Sequence, residues 1–329
     1  MKYNSIQFLR AIASLLVVNV HISYLIFEIH LGRFGVDIFF IVSGCMMSII
    51  LKSNSNNFFL RRFIRIFPMY FIFTLLQFLQ LNMPLHNVYY NNSIYDFFKS
   101  ILFITANPQL GIGWSLNIEV FFYSIIAIVA LFFKKLNIIL FTSLIVLFFY
   151  ILLNIIGYPE IPIPISHLKN SIIFELILGF YIIEINFKKN SKILFNFIAI
   201  FLLIIMLYFE YYDFVNEQNR FLLFGVPSFF LVLIFINNEI YFEESKLGNF
   251  FQHIGDSSYI IYLMHSFIIL AFSLFFYKIV KIEPVSLNFY FKFIVYILII
   301  SIVLKSSYLI HKYVEMPITQ YCKTLFKIK

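Results

Sequence analysis

The run Leu9-Arg10-Ala11-Ile12-Ala13-Ser14-Leu15-Leu16-Val17-Val18-Asn19-Val20-His21 decides the fold. It lies in an apolar segment, residues 6 to 27, long enough to cross the roughly 30 Å hydrocarbon core of a bilayer as a helix. Yet the segment carries a guanidinium and an imidazole. Eleven residues at about 100° each end about 20° past three full turns, so Arg10 and His21 share one helix face, roughly 16 Å apart along the axis. A charged group in a span costs on the order of 2.5 to 3.5 kcal/mol at mid-membrane, so such residues face a protein interior or a wet cavity. The first helix is therefore expected to line a site.

The rest of the chain fits a membrane setting. Apolar residues make up 62% of the 329 and charged residues 12%, against about 45–50% and about 25% in an ordinary soluble domain. The composition does not change along the chain, and no polar stretch is long enough to fold separately, so residues 1 to 329 are read as one membrane domain with no fused extracytoplasmic domain. Cys45 and Cys322 stand far apart, with neither a metal-like nor a redox-like neighbour, and imply no disulfide or zinc framework. Ala11-Ile12-Ala13 opens the first apolar run instead of following it, which argues for a retained span over a cleaved leader.

Apolar runs of spanning length fall near 6 to 27, 34 to 51, 63 to 82, 114 to 133, 136 to 156, 171 to 186, 193 to 212, 220 to 237, 257 to 277 and 290 to 311. The stretch from Phe97 to Thr105 is too short to cross and suits the interface. An all-α integral membrane protein follows, with about ten transmembrane helices in one bundle. With the N-terminus inside, sixteen of the 24 Lys and Arg fall on the inner side, seven on the outer side and Lys305 within a span. That bias predicts both termini in the cytoplasm. Membrane orientation and anionic headgroups account for the net charge of +8, so no nucleic-acid partner is implied.

Four further stretches carry polar groups into apolar surroundings. Asp37 opens the second segment and either caps its helix or belongs to the site; Ser43 and Gly44 beyond it would permit close approach of a helix or ligand. Arg61, Arg62 and Arg65 precede Pro68 on the inner side, in a stretch from Phe58 to Pro68 read as a loop with a short helix. Residues 61 and 65 would share a face, suited to bidentate grip on a polyphosphate, although orientation and lipid-headgroup contact would also explain them. In the fourth segment Trp114 suits an interfacial anchor, while Ser115, Glu119 and Tyr123 recur every four residues, placing a carboxylate and two hydroxyls on one face. Near the C-terminus, Ser257-Ser258-Tyr259-Ile260-Ile261-Tyr262-Leu263-Met264-His265 opens the ninth span; packing is the simpler role for His265. Glu315-Met316-Pro317 reads as a helix stop. No compact His/Asp/Glu spacing suggests a metal site.

Taken together these stretches resemble the acyltransferase 3 family of integral-membrane acyl-transfer enzymes. The resemblance rests on Leu9-Arg10-Ala11 through His21, Gly35-Val36-Asp37-Ile38-Phe39-Phe40 with Ser43-Gly44, Arg62 and Arg65 with Ile66 and Pro68, Trp114-Ser115-Leu116 with Glu119 and Phe122-Tyr123, Ser258-Tyr259 through Tyr262-Leu263 and His265, and Glu315 with Pro317. It implies a multi-pass enzyme of the bacterial cytoplasmic membrane. Such an enzyme takes an acyl group, commonly acetyl from acetyl-CoA, and places it on a hydroxyl of a surface polysaccharide or lipid-linked sugar. By that likeness Arg10 and His21 match the paired first-span residues and Arg62 and Arg65 the inner arginine pair, with Arg61 beside them.

The expected chemistry has the acyl-CoA phosphates docked at Arg61, Arg62 and Arg65 and His21 serving as general base or acyl carrier. Asp37 or Glu119 would orient His21. The outer segment from Met83 to Gly113 is a candidate for acceptor contacts. A transporter or flippase of glycan precursors is the rival reading, since buried charges in many-span chains describe those too.

Overall fold

The computed structural model describes residues 4–53, 57–81, 93–105, 107–134, 136–156, 170–185, 192–237 and 246–328. Residues 83–92 and 106 of the candidate acceptor segment lie outside these, as do Lys2, Lys135, Lys169, Lys188, Lys189 and Lys329 of the charge count. Among the described residues the structure is helical with no strand. The helices are α1 (Asn4–Phe27), α2 (Gly35–Ser53), α3 (Phe58–Leu81), α4 (Ile94–Ile101), α5 (Trp114–Phe132), α6 (Leu136–Ile156), α7 (Ile173–Tyr181), α8 (Lys192–Tyr211), α9 (Val226–Asn237), α10 (Lys246–Asp256), α11 (Ser258–Leu274), α12 (Phe289–Ile310) and α13 (Met316–Leu325).

Every expected apolar segment is helical, and seven helices are long and apolar enough to cross a membrane. Two more, Asn196–Tyr211 and Phe221–Asn237, are apolar but shorter. The segment expected at 171 to 186 is reduced to the nine residues of α7 followed by a 3-10 turn, Ile182–Glu184, which is about 14 Å of α-helix. α4 is short as expected. Ser93 caps it by accepting from the Asp96 amide at 3.1 Å, and it buries Phe97 and Ile101 while exposing Ile94, Tyr95 and Phe98. Outward apolar side chains on α6, α8 and α12, among them Phe148, Phe201 and Phe293, need an apolar surrounding such as lipid.

Two expectations at prolines are corrected. α3 runs through Pro68, so the arginines sit in the first turns of a 24-residue helix and not in a loop. Proline removes one i to i−4 bond, a loss that spanning helices tolerate. Glu315 and Pro317 do not end the tenth segment either: a π turn, His311–Glu315, leads into α13. There Pro317 occupies the first turn, where the missing N–H is not needed.

Contacts within the expected single domain group into two compact units. The first comprises Met1–Cys45 and Phe174–Val314. In it α1 packs against α9, α10, α11 and α12, with Ala11, Val18, Ile22 and Ile26 forming a stripe against Ile254, Ile261, Ile268, Val295 and Ile299. The small residue at position 44 does permit close approach, and its partner is α7. A Cβ on Gly44 would lie 2.1 Å from the Leu176 carbonyl oxygen, and one on Gly179 would lie 2.2 Å from the Ile41 carbonyl oxygen. Gly179→Ala is thus expected to destabilise by about 1–3 kcal/mol through overpacking. Gly111→Ala, where an added Cβ meets nothing within 4 Å, should change stability by less than about 0.5 kcal/mol. Thermal unfolding in detergent compares them; equal melting temperatures would contradict the backbone contact.

The turn from α1 to α2 is clasped from a distance. The Gly32 and Arg33 amides donate to Glu210 of α8 at 2.6 and 2.7 Å, and Arg33 Nε donates to the same carboxylate at 3.2 Å. Gly32 has φ 113° and lies against the Leu16 carbonyl, a conformation and a space that favour glycine.

The second unit comprises Met46–Ile173 and Glu315–Lys329, with α3 packed against α4, α5 and α13. Tyr70 is fully buried; its hydroxyl donates to the Ser100 carbonyl at 3.2 Å, and its ring stacks on Phe103. Asn117 of α5 donates to the Thr105 carbonyl at 2.7 Å. These bonds fix the segment before α5 against α3.

Candidate functional site

In the first unit, the face of α1 that carries His21 meets α11 at His265. The two imidazoles stand edge to face with centroids 4.9 Å apart. Each Nδ1 lies at hydrogen-bond distance from the carbonyl one turn back in its own helix: Val17 at 3.0 Å for His21 and Ile261 at 3.1 Å for His265. A carbonyl only accepts, so these contacts are hydrogen bonds when Nδ1 carries the hydrogen, the tautomer that leaves a lone pair on Nε2. His265 is fully buried, and its Nε2 has no partner. The packing role expected of it is met, with the addition of a direct contact to His21.

His21 itself is exposed. It opens on a cavity of about 490 Å³ walled also by Tyr24, Glu28, His30, Ser266, Ser273 and Tyr277. Tyr24 and His30 stack at 4.5 Å, and Glu28 follows α1 directly with φ 56°. The wall therefore combines a base, a carboxylate, hydroxyls and a flat aromatic face. Arg10 lies on the same helix, half-buried, with its guanidinium 3.3 Å from Gln7 Oε1.

Asp37 takes a different partner from the imidazole expected for it. It is fully buried, and Arg220 grips it with Nε at 3.0 Å and Nη2 at 2.6 Å while also donating to the Arg33 carbonyl at 3.2 Å. Glu175 of α7 is a second fully buried carboxylate beside this pair. Arg220 and Glu175 were not legible as partners, because each is one charged residue at the edge of an apolar run, far in sequence from Asp37. Ser43 is half-buried one residue before Gly44, and Tyr259 half-buried in the first turn of α11.

In the second unit, Arg61, Arg62 and Arg65 line one cavity of about 230 Å³ together with Ile50, Phe58, Thr319, Lys323 and Ile328. Arg62 is 6% exposed, and its Nε and Nη2 have no partner, nor does Arg61 Nε. Buried guanidinium donors without acceptors cost stability, and an anion is the ligand that would satisfy them. The Arg62 guanidinium stands 5.6 Å over the Tyr123 ring, whose hydroxyl donates to Glu119. Glu119 is thus engaged by its own helix beside Arg62, on the face that its four-residue spacing from Tyr123 suggested. Ser115 is buried on the same helix and Trp114 half-buried. Thr319 carried no signal in the sequence and Lys323 only its place in the inner-side charge count, since both lie beyond a Glu-x-Pro read as a stop.

Residues 3–306 match a family model described as an acyltransferase domain. No curated protein matches the chain, and no solved structure does.

Proposed function

Because the chain belongs to the acyltransferase 3 family, whose model spans nearly all of it, we propose that it is a membrane O-acyltransferase in which His21 Nε2 is the general base. The observation that carries this is the setting of that ring. Its Nδ1 is tied to Val17, and its body faces a cavity lined with a carboxylate, hydroxyls and an aromatic face. An alcohol is a weak nucleophile near neutral pH, and a positioned imidazole with a bare nitrogen is the usual remedy.

In the proposed reaction a sugar hydroxyl oxygen attacks the thioester carbonyl carbon as its proton passes to His21 Nε2. Collapse of the adduct breaks the carbon–sulfur bond, and the departing thiolate receives the proton. The donor is acyl-CoA, acetyl in the simplest case, with its phosphates taken by the unpartnered guanidinium donors of Arg61 and Arg62 and by Arg65. The acceptor is a surface polysaccharide or its lipid-linked precursor, and the tyrosines of the His21 cavity suit the flat face of a sugar. The distribution of Lys and Arg supports both termini in the cytoplasm, and the family likeness supports a bacterial cytoplasmic membrane.

Purified protein incubated with radiolabelled acetyl-CoA and isolated surface glycan is expected to move label onto the glycan. Transport of glycan without label transfer would replace this reading with that of a flippase. Arg65→Ala is expected to raise the KM for the donor about tenfold, about 1.4 kcal/mol, with kcat little changed. A donor titration identical to that of the unmodified protein would remove Arg65 from the donor site.

A further inference from the structure

The arginine cavity has a wall that the family match does not reach. That match ends at residue 306, whereas Thr319 and Lys323 come from α13, Met316–Leu325. Four residues apart, they fall on one helix face, and both line the cavity of Arg61, Arg62 and Arg65. Four cationic side chains therefore share one small space, and no carboxylate is among the described residues that line it.

Such a grouping is unfavourable when empty, because like charges repel and buried guanidinium donors without acceptors are costly. One phosphodiester would offset one charge of the four. The charge balances with a ligand that carries a diphosphate and a separate phosphomonoester, the latter alone supplying about −1.5 to −2. Arginine forks match a diphosphate, whereas the compact ammonium of lysine on its flexible stem suits a terminal monoester. Ile50, Phe58 and Ile328 add an apolar wall.

We infer that α13 completes the donor site, with Lys323 binding a phosphomonoester distinct from the diphosphate held by the arginines, so that Lys323 selects a 3′-phosphorylated nucleotide carrier. This rests on the acyl-CoA reading above. Anionic lipid headgroups offer phosphate chemistry too, so the test separates the two sources.

Binding of CoA and of 3′-dephospho-CoA is measured calorimetrically with full-length protein in nanodiscs of phosphatidylcholine. The unmodified protein is expected to bind CoA about tenfold tighter than 3′-dephospho-CoA. Lys323→Gln should weaken CoA about tenfold and leave 3′-dephospho-CoA within about twofold. Lys323→Arg should keep the preference, and Lys327→Gln, which alters an exposed lysine outside the cavity wall, should change neither. Equal affinities for the two nucleotides in the unmodified protein, equal loss of both in Lys323→Gln, or the same loss in Lys327→Gln would overturn the assignment. So would disappearance of the Lys323→Gln effect when phosphatidylglycerol is added, which would make the cavity a headgroup site. An unmodified protein that binds neither nucleotide would overturn the donor reading itself; label transfer with an intact CoA preference in Lys323→Gln would leave that reading standing and reject this one.

Discussion

His21→Ala is expected to abolish acyl transfer while the protein stays folded. A positioned general base contributes about 10² to 10⁴ in rate, so the residual rate should fall by at least that much. The ring is exposed on the cavity, and its removal neither opens a hole in the packed core nor strands a buried charge. The Val17 carbonyl that it touches is an α1 backbone group and retains its helical bond. Label transfer to glycan and thermal unfolding in detergent should therefore separate, activity lost and melting temperature held within a few degrees. Full transfer by the folded variant would reject His21 as the base. His265→Ala should differ by losing stability as well, because that ring is fully buried.

The second large effect concerns stability. Arg220→Leu is expected to destabilise the first unit by about 3–5 kcal/mol, the cost of breaking a buried ion pair by removing one partner. The Arg220 side chain is 22% exposed and Asp37 is fully buried, so water cannot replace the guanidinium at the carboxylate. Glu175 is also buried beside them, so the loss leaves two carboxylates facing one another. For the same reason Asp37→Asn should cost less, since Glu175 still offers Arg220 a counter-charge. Combining Arg220→Leu with Asp37→Asn and Glu175→Gln should restore much of the loss, because neutral groups of similar shape carry no stranded charge. Melting temperature and the fraction of monodisperse protein report the outcome. A single variant as stable as the unmodified protein would show that the ion pair does not hold α2 in place.

What the sequence revealed and what it concealed divide along a physical line. Helices are local, so ten apolar runs announced ten helical segments; of the pair Arg10 and His21, His21 lines the cavity of the first unit while Arg10 lies beside Gln7. The small pair at 43 and 44 announced a close approach, since only a missing side chain admits another backbone. Partnership is not local. Arg220 meets Asp37 across 183 positions and Glu210 meets Gly32 across 178, and pairings at such range depend on how helices are arranged in space. The sequence offered Asp37 or Glu119 as the group that orients His21; the structure supplies an arginine for Asp37 and, for Glu119, the Tyr123 that its four-residue spacing had already placed on the same face. The tail was hidden for a different reason. A Glu-x-Pro reads as a stop from its composition, and only the geometry shows proline in the first turn of a new helix that carries Thr319 and Lys323.

The clasp of Glu210 on the first turn bears on how the chain is made. The amides of Gly32 and Arg33 leave the ribosome 178 and 177 residues before their acceptor, which at about 5–20 residues per second is a wait of roughly 9 to 36 s. The opening hairpin therefore enters the bilayer with its bend unsecured, and the final shape of that bend is settled late in biogenesis.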